Sequence, residues 1–130
     1  MYISRKKIFK GKRVALFAVP GPFTGTCDKA HVPSFSANAS ALKAKGIDRI
    51  ICVSTCDPYV VNGWQISLGD KAKGIEFYSD NTGKLTQYMH SEIDLSAAAL
   101  CGARRFDDIV CLHVCVWFSR VFLTIHSFLL

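Results

Sequence analysis

The sequence predicts an α/β protein, because β-rich apolar runs alternate along it with segments that carry helix signals. Three runs make the case. "RVALFAV", Arg13 to Val19, is closed by Pro-Gly, and "DRIICVS", Asp48 to Ser54, and "GIEFYSD", Gly74 to Asp80, are of the same kind. Strands separated by helices imply one sheet containing parallel pairs joined by crossovers.

After the first run, Thr24 and Thr26 stand where helix caps belong, and Ala30, Phe35, Ala39, Leu42 and Ala44 recur near helical spacing up to Lys45-Gly46. "DPYVVNGWQISLG", Asp57 to Gly69, reads as a helix with an Asp cap and Pro in its first turn, and Trp64 as its ordinary packing residue. "NTGK" after the third run reads as a turn, followed by a short helix around Leu85 to His90.

Half of the 130 residues are hydrophobic, enough to bury a core, so residues 1–130 are expected to form a single domain. The net charge of +6 comes partly from one cluster, Arg5, Lys6, Lys7, Lys10, Lys12 and Arg13. Residues 1–12 are expected to be a solvated, poorly ordered basic segment. Without interleaved aromatics, zinc-finger spacing or an RNA-binding signature, nucleic acid is not expected as a partner. Six cysteines, with no apolar leader in "MYISRKKIFKGKR", favour free thiols in a reducing compartment. A cytoplasmic site is expected, with an organelle or a membrane surface as the alternative.

Residues 107–130 change character. "IVCLHVCVWFSRVFLTIHSFLL" holds thirteen Ile, Val, Leu and Phe residues, favouring bilayer insertion by roughly 4 to 8 kcal/mol against about 2.5 to 3.5 for Arg120 alone. The balance is marginal once His113 and His126 are added. A buried strand or a poorly packed tail is expected ahead of an anchor.

The residues that suggest chemistry are Pro20, Thr24 and Cys27, spaced Pro-x-x-x-Thr-x-x-Cys just behind the first strand. A thiol at a helix start is where backbone N–H groups and the helix dipole favour thiolate. The Thr24 hydroxyl can then meet a ligand at the sulfur, and the Pro20 ring can shield it from water. His31, four residues after Cys27, is expected to be structural rather than a metal ligand. The Cys52-x-x-x-Cys56 and Cys111-x-x-x-Cys115 spacings do not make a zinc site.

The whole stretch "VPGPFTGTCDKAHVPSF" closely resembles the active-site segment of type II peroxiredoxins. The similarity continues through "ALKAKGIDRIICVSTCDPYVVNGW", "IEFYSD", "DLSAA" and "RRF", covering roughly Lys12 to Phe106. It implies a thioredoxin-like fold, with a central mixed sheet flanked by helices and incomplete terminal elements. It also implies thiol-dependent reduction of hydrogen peroxide and organic hydroperoxides. On this resemblance Cys27 is the peroxidatic cysteine, Thr24 contacts sulfur and peroxide, and Pro20 shields. Arg105, before Phe106, supplies positive charge, with Arg104 in reserve. Cys52, 25 residues after Cys27, matches a second cysteine of many members. It is either a resolving cysteine or a bystander while thioredoxin or glutaredoxin/glutathione acts directly, and the bystander role is preferred. Phe23 is expected near the pocket or in a homodimer contact, since the group pairs through this face. Cys56 departs from the pattern, and no cofactor or metal is called for. The competing reading is an inactive relative whose apolar tail binds a partner or a membrane.

Overall fold

The computed structural model describes residues 8–89, together with the backbone of four two-residue strands beyond them. Three parallel strands form the central sheet: β1 (Val14–Ala18), β2 (Arg49–Ser54) and β3 (Glu76–Ser79), in spatial order β1-β2-β3. Phe17 lies in register with Cys52, and Cys52 with Phe77. Because successive strand side chains alternate between faces, each strand supplies two cores. Ala15, Phe17, Val19, Ile50 and Cys52 face one side, and Val14, Leu16, Ala18, Ile51 and Val53 the other. Both sides are covered, so β1 and the Ile50–Val53 stretch of β2 are apolar throughout, as buried parallel strands must be, whereas β3 is half-buried and carries Glu76 and Ser79.

The connection from β1 to β2 begins with a wide, π-type turn, Cys27–His31, followed by α1 (Val32–Ala37) and α2 (Ala39–Ala44). The single helix expected from Ala30 to Lys45 is therefore split. At Asn38 the backbone leaves helical geometry (φ −95°, ψ 4°), and the Asn38 side-chain amide donates to the Ser34 carbonyl at 2.8 Å. A short polar side chain here competes with the helix's own hydrogen bonds. Phe35 and Ala39 are buried as expected, whereas Ala30 and Ala44 are exposed.

The Lys45-Gly46 stop is realised in full. Gly46 takes φ +88° and donates to the Lys43 carbonyl at 2.9 Å, while Ile47 N–H reaches the Leu42 carbonyl at 3.1 Å. Leu42 and Ile47 pack in the same core, completing a Schellman ending. Asp48 then clasps the base of β1, accepting from Arg13 N–H at 2.7 Å.

Between β2 and β3 runs α3 (Pro58–Leu68), extended by a 3-10 turn, Gly69–Ala72. Asp57 caps it as expected, its carboxylate accepting from Tyr59 N–H at 2.8 Å, with Pro58 opening the first turn. Val32 and Phe35 of α1 and Trp64 and Leu68 of α3 pack on the same face of the sheet. The opposite face is covered by Leu85, on α4 (Lys84–Tyr88), and by Met89, Ile8 and Phe9. The basic N-terminal segment is thus not wholly solvated, since Ile8 and Phe9 are half-buried beneath the sheet. Asp80 fastens the start of α4, accepting from both Thr86 N–H (2.9 Å) and Thr86 Oγ1 (2.8 Å).

Farther along, β4 (Glu92–Ile93) pairs antiparallel with β5 (Arg105–Phe106), and β6 (Cys111–Leu112) with β7 (Ile125–His126). The rest of the apolar tail, and His90 of the expected short helix, lie outside the described residues. Among those that are described, no helix is long and apolar enough to cross a membrane.

Candidate active site

The chain leaves β1 at its carboxyl end through Val19, whose N–H donates to the Val53 carbonyl at 3.0 Å. Pro20, half-buried, and Gly21, buried, then turn it toward the helical segment. The Thr24 hydroxyl donates to the Gly21 carbonyl at 2.9 Å. Thr24 holds the N-cap position, its carbonyl accepting from Asp28 N–H at 3.0 Å, but its hydroxyl turns back to Gly21 instead of to a helix N–H, and Thr26 is not a cap. Thr26 already has helical angles (φ −69°, ψ −43°) and makes no side-chain cap bond, because the helical turn begins before it. The committed Thr24 proton leaves its oxygen lone pairs as acceptors.

Cys27 lies in the first helical turn, only 1% exposed, in the core with Phe17, Val32 and Cys52. Its floor is aromatic. Phe17 and Phe35 stack at 4.0 Å between ring centroids, and the His31 ring lies 5.1 Å from Phe17 and 5.8 Å from Phe35. His31 thus packs against the Phe17 and Phe35 rings.

Cys52 faces the same core from β2, also 1% exposed. Burial pushes its thiol well above the ordinary range, and the neighbouring Cys27 charge pushes it the same way. Cys56 is half-buried just before the Asp57 cap, its carbonyl accepting from Ser79 Oγ at 2.5 Å. Phe23, on the loop between Pro20 and Cys27, is 58% exposed and takes φ +60°, a strained backbone for an aromatic residue. Arg105 sits in β5, its backbone in register with Ile93, while its side chain and Arg104 lie outside the described residues. An open groove lined by Pro33, Ser36, Lys43 and Lys73 lies elsewhere and includes none of Pro20, Thr24 and Cys27.

One polar contact had no signature in the sequence. Asp28, the residue after Cys27, accepts from the indole N–H of Trp64 on α3 at 2.5 Å. Trp64 is fully buried and meets the edge of Phe77 at 5.4 Å. The partners are 36 residues apart, so neither periodicity nor local spacing links them.

The redoxin family profile matches residues 3–110, most of the chain. This chain belongs to the redoxin family. Its curated relatives are type II peroxiredoxins. "Peroxiredoxin-2F, mitochondrial" of Oryza sativa subsp. japonica is 52% identical over 95 residues, 73% of this chain and 48% of that protein. The protein of the same name in Arabidopsis thaliana is 50% identical over 93 residues, 72% and 46% respectively. The chain thus spans about half the length of the curated relatives it matches. Among solved structures, reduced Prx3 from Vibrio vulnificus in complex with H2O2 superposes with a TM-score of 0.70 at 36% identity, over 79% of this chain and 64% of that one. The fold is the thioredoxin-like fold of peroxiredoxins, as the sequence resemblance implied.

Proposed function

We propose that this redoxin is a thiol peroxidase in which Cys27 reduces hydrogen peroxide and organic hydroperoxides. The observation that carries the reading is the placement of Cys27. It is a buried thiol in the first turn behind β1, three residues after Thr24, whose hydroxyl proton is already engaged by Gly21.

In the proposed reaction the Cys27 thiolate attacks one peroxide oxygen and the O–O bond breaks. The sulfur becomes a sulfenic acid, and the other oxygen leaves, with a proton, as water or an alcohol. Thr24 Oγ1 accepts the peroxide O–H and aims the O–O bond at the sulfur. Pro20 narrows the approach so that bulk water is excluded. Arg105 is assigned to stabilise charge developing on the departing oxygen.

The sulfenic acid is returned to the thiol by an external thiol, either thioredoxin or glutaredoxin/glutathione. Cys52 is a bystander in this cycle, because a buried, protonated thiol is a poor attacker. The mitochondrial names of the two relatives favour the organellar alternative over the cytoplasmic one, and pairing through the exposed Phe23 face is proposed for a homodimer.

The test is the second-order rate of Cys27 oxidation by hydrogen peroxide, read by intact mass for the native sequence and for Cys27→Ser. A fast reaction confined to the native chain supports the peroxidase. A rate no faster than that of a free thiol rejects it and favours an inactive, partner-binding relative.

A further inference from the structure

Resting on the peroxidase reading, we propose that Asp28 is a positioning residue: by accepting from the buried Trp64 indole it pins the turn carrying Cys27 to α3, and breaking this bond lets the turn open.

Three observations support it. The Cys27–His31 turn is π-type, its end marked by the Val32 N–H bond to the Cys27 carbonyl, a rare geometry that recurs at functional sites. Trp64 is an immobile donor, fully buried on a neighbouring helix and braced edge-on by Phe77. Cys27, at 1% exposure, is closed to the thiol of a larger reductant. Such a thiol can reach the sulfur only if the turn moves. A polar tie from the turn to α3 is the Asp28–Trp64 bond at 2.5 Å, and in this proposal that bond biases the balance between the closed and open turn.

The balance is readable because sulfenic Cys27 has two fates. With a thiol it gives a mixed disulfide and water, Cys27–SOH + RSH → Cys27–S–SR + H2O. With a second peroxide it gives sulfinic acid and water, Cys27–SOH + H2O2 → Cys27–SO2H + H2O. An open turn favours the first fate and a closed turn the second.

The probe is glutathione with graded hydrogen peroxide, and products are counted by intact mass. Asp28→Ala and Trp64→Phe each remove the bond and are expected to shift the product ratio about tenfold toward the glutathione adduct. Asp28→Asn keeps an acceptor oxygen and should stay within about twofold of the native ratio.

A second arm uses no peroxide. Backbone amides of residues 25–31 in the reduced protein should exchange about tenfold faster in Asp28→Ala and Trp64→Phe, with β1 and β2 amides unchanged. A purely structural role would instead speed strand and turn amides together. The proposal is overturned if turn exchange is unaffected in Asp28→Ala, or if Asp28→Asn behaves like Asp28→Ala. If native Cys27 does not react with peroxide, the peroxidase reading falls, and the exchange arm still decides the positioning role.

Discussion

Replacing Cys52 separates the two roles its position allows. The side chain is buried on β2, flanked in register by Phe17 and Phe77. Cys52→Ala leaves a void about the size of the lost sulfur, costing about 1 kcal/mol. Cys52→Ser instead places a hydroxyl among apolar neighbours, at about 1–3 kcal/mol. For a chain of this length each kcal/mol lowers Tm by roughly 3–5 °C, so alanine should melt about 3–5 °C below the native protein and serine lower still. Thermal and urea unfolding measure that order. Peroxide turnover, with glutathione or thioredoxin supplied, measures the chemistry. Turnover per folded molecule should stay within about twofold of native in Cys52→Ala. A loss of tenfold or more in a still-folded alanine variant would refute the bystander argument and make Cys52 the resolving thiol.

Thr24 offers a sharper kinetic contrast: Thr24→Ser should retain most peroxide reactivity, while Thr24→Val, which lacks the oxygen, should lose about tenfold or more in Cys27 oxidation rate. Asp80→Ala strands the buried Thr86 hydroxyl and a helix N–H, at about 2–4 kcal/mol, whereas Thr86→Val removes the hydroxyl itself and should cost less; urea unfolding of the pair tests the order. On the sheet, Arg49 donates to Glu76 through Nε (2.8 Å) and Nη2, and to Tyr78 Oη at 2.8 Å. The Arg49 hydrogen bond chiefly holds the Glu76 carboxyl below its ordinary value, against an opposing effect of burial. The pair's contribution is therefore present above the unfolded carboxylate value, about 4.3, and is lost as pH falls through the lower folded value. Glu76→Gln should flatten the acid limb of stability over that window, by less than about 1 kcal/mol because the pair is partly exposed; an unchanged limb would refute the linkage.

Features whose causes are local in the chain were legible in the sequence. The apolar run at Val14–Ala18, the Asp57-Pro58 helix start and the Lys45-Gly46 stop each follow from a few adjacent residues, and each appears in the structure. The split at Asn38 was local too, but an Asn inside a helical pattern reads as a surface residue until its amide is seen bonded to Ser34. Thr26 failed as a cap because the helical turn starts before it, and Thr24, though at the N-cap, spends its hydroxyl on the Gly21 carbonyl. Contacts between distant segments were invisible: Asp28 with Trp64, and Arg49 with Glu76 and Tyr78, form only after α3 and β3 have docked.

The same strand alternation that builds the core also explains why spacing cannot assign Cys52. With period two, residues 50 and 52 of β2 face the side on which the Cys27 turn and α3 pack, so a cysteine at 52 is brought into the Cys27 core by the register alone. Proximity of the two sulfurs follows from the fold, whether or not they ever exchange electrons. What distinguishes the roles is access. A resolving thiol must ionise and travel, and β2 holds Cys52 between two neighbouring strands in an apolar setting that opposes both. Cys27 sits instead on a turn of irregular pitch, tied to α3 through Asp28, whose movement would not unpair a strand. On the proposed cycle, opening at the turn would present the sulfenic acid to an external thiol without unpairing a strand.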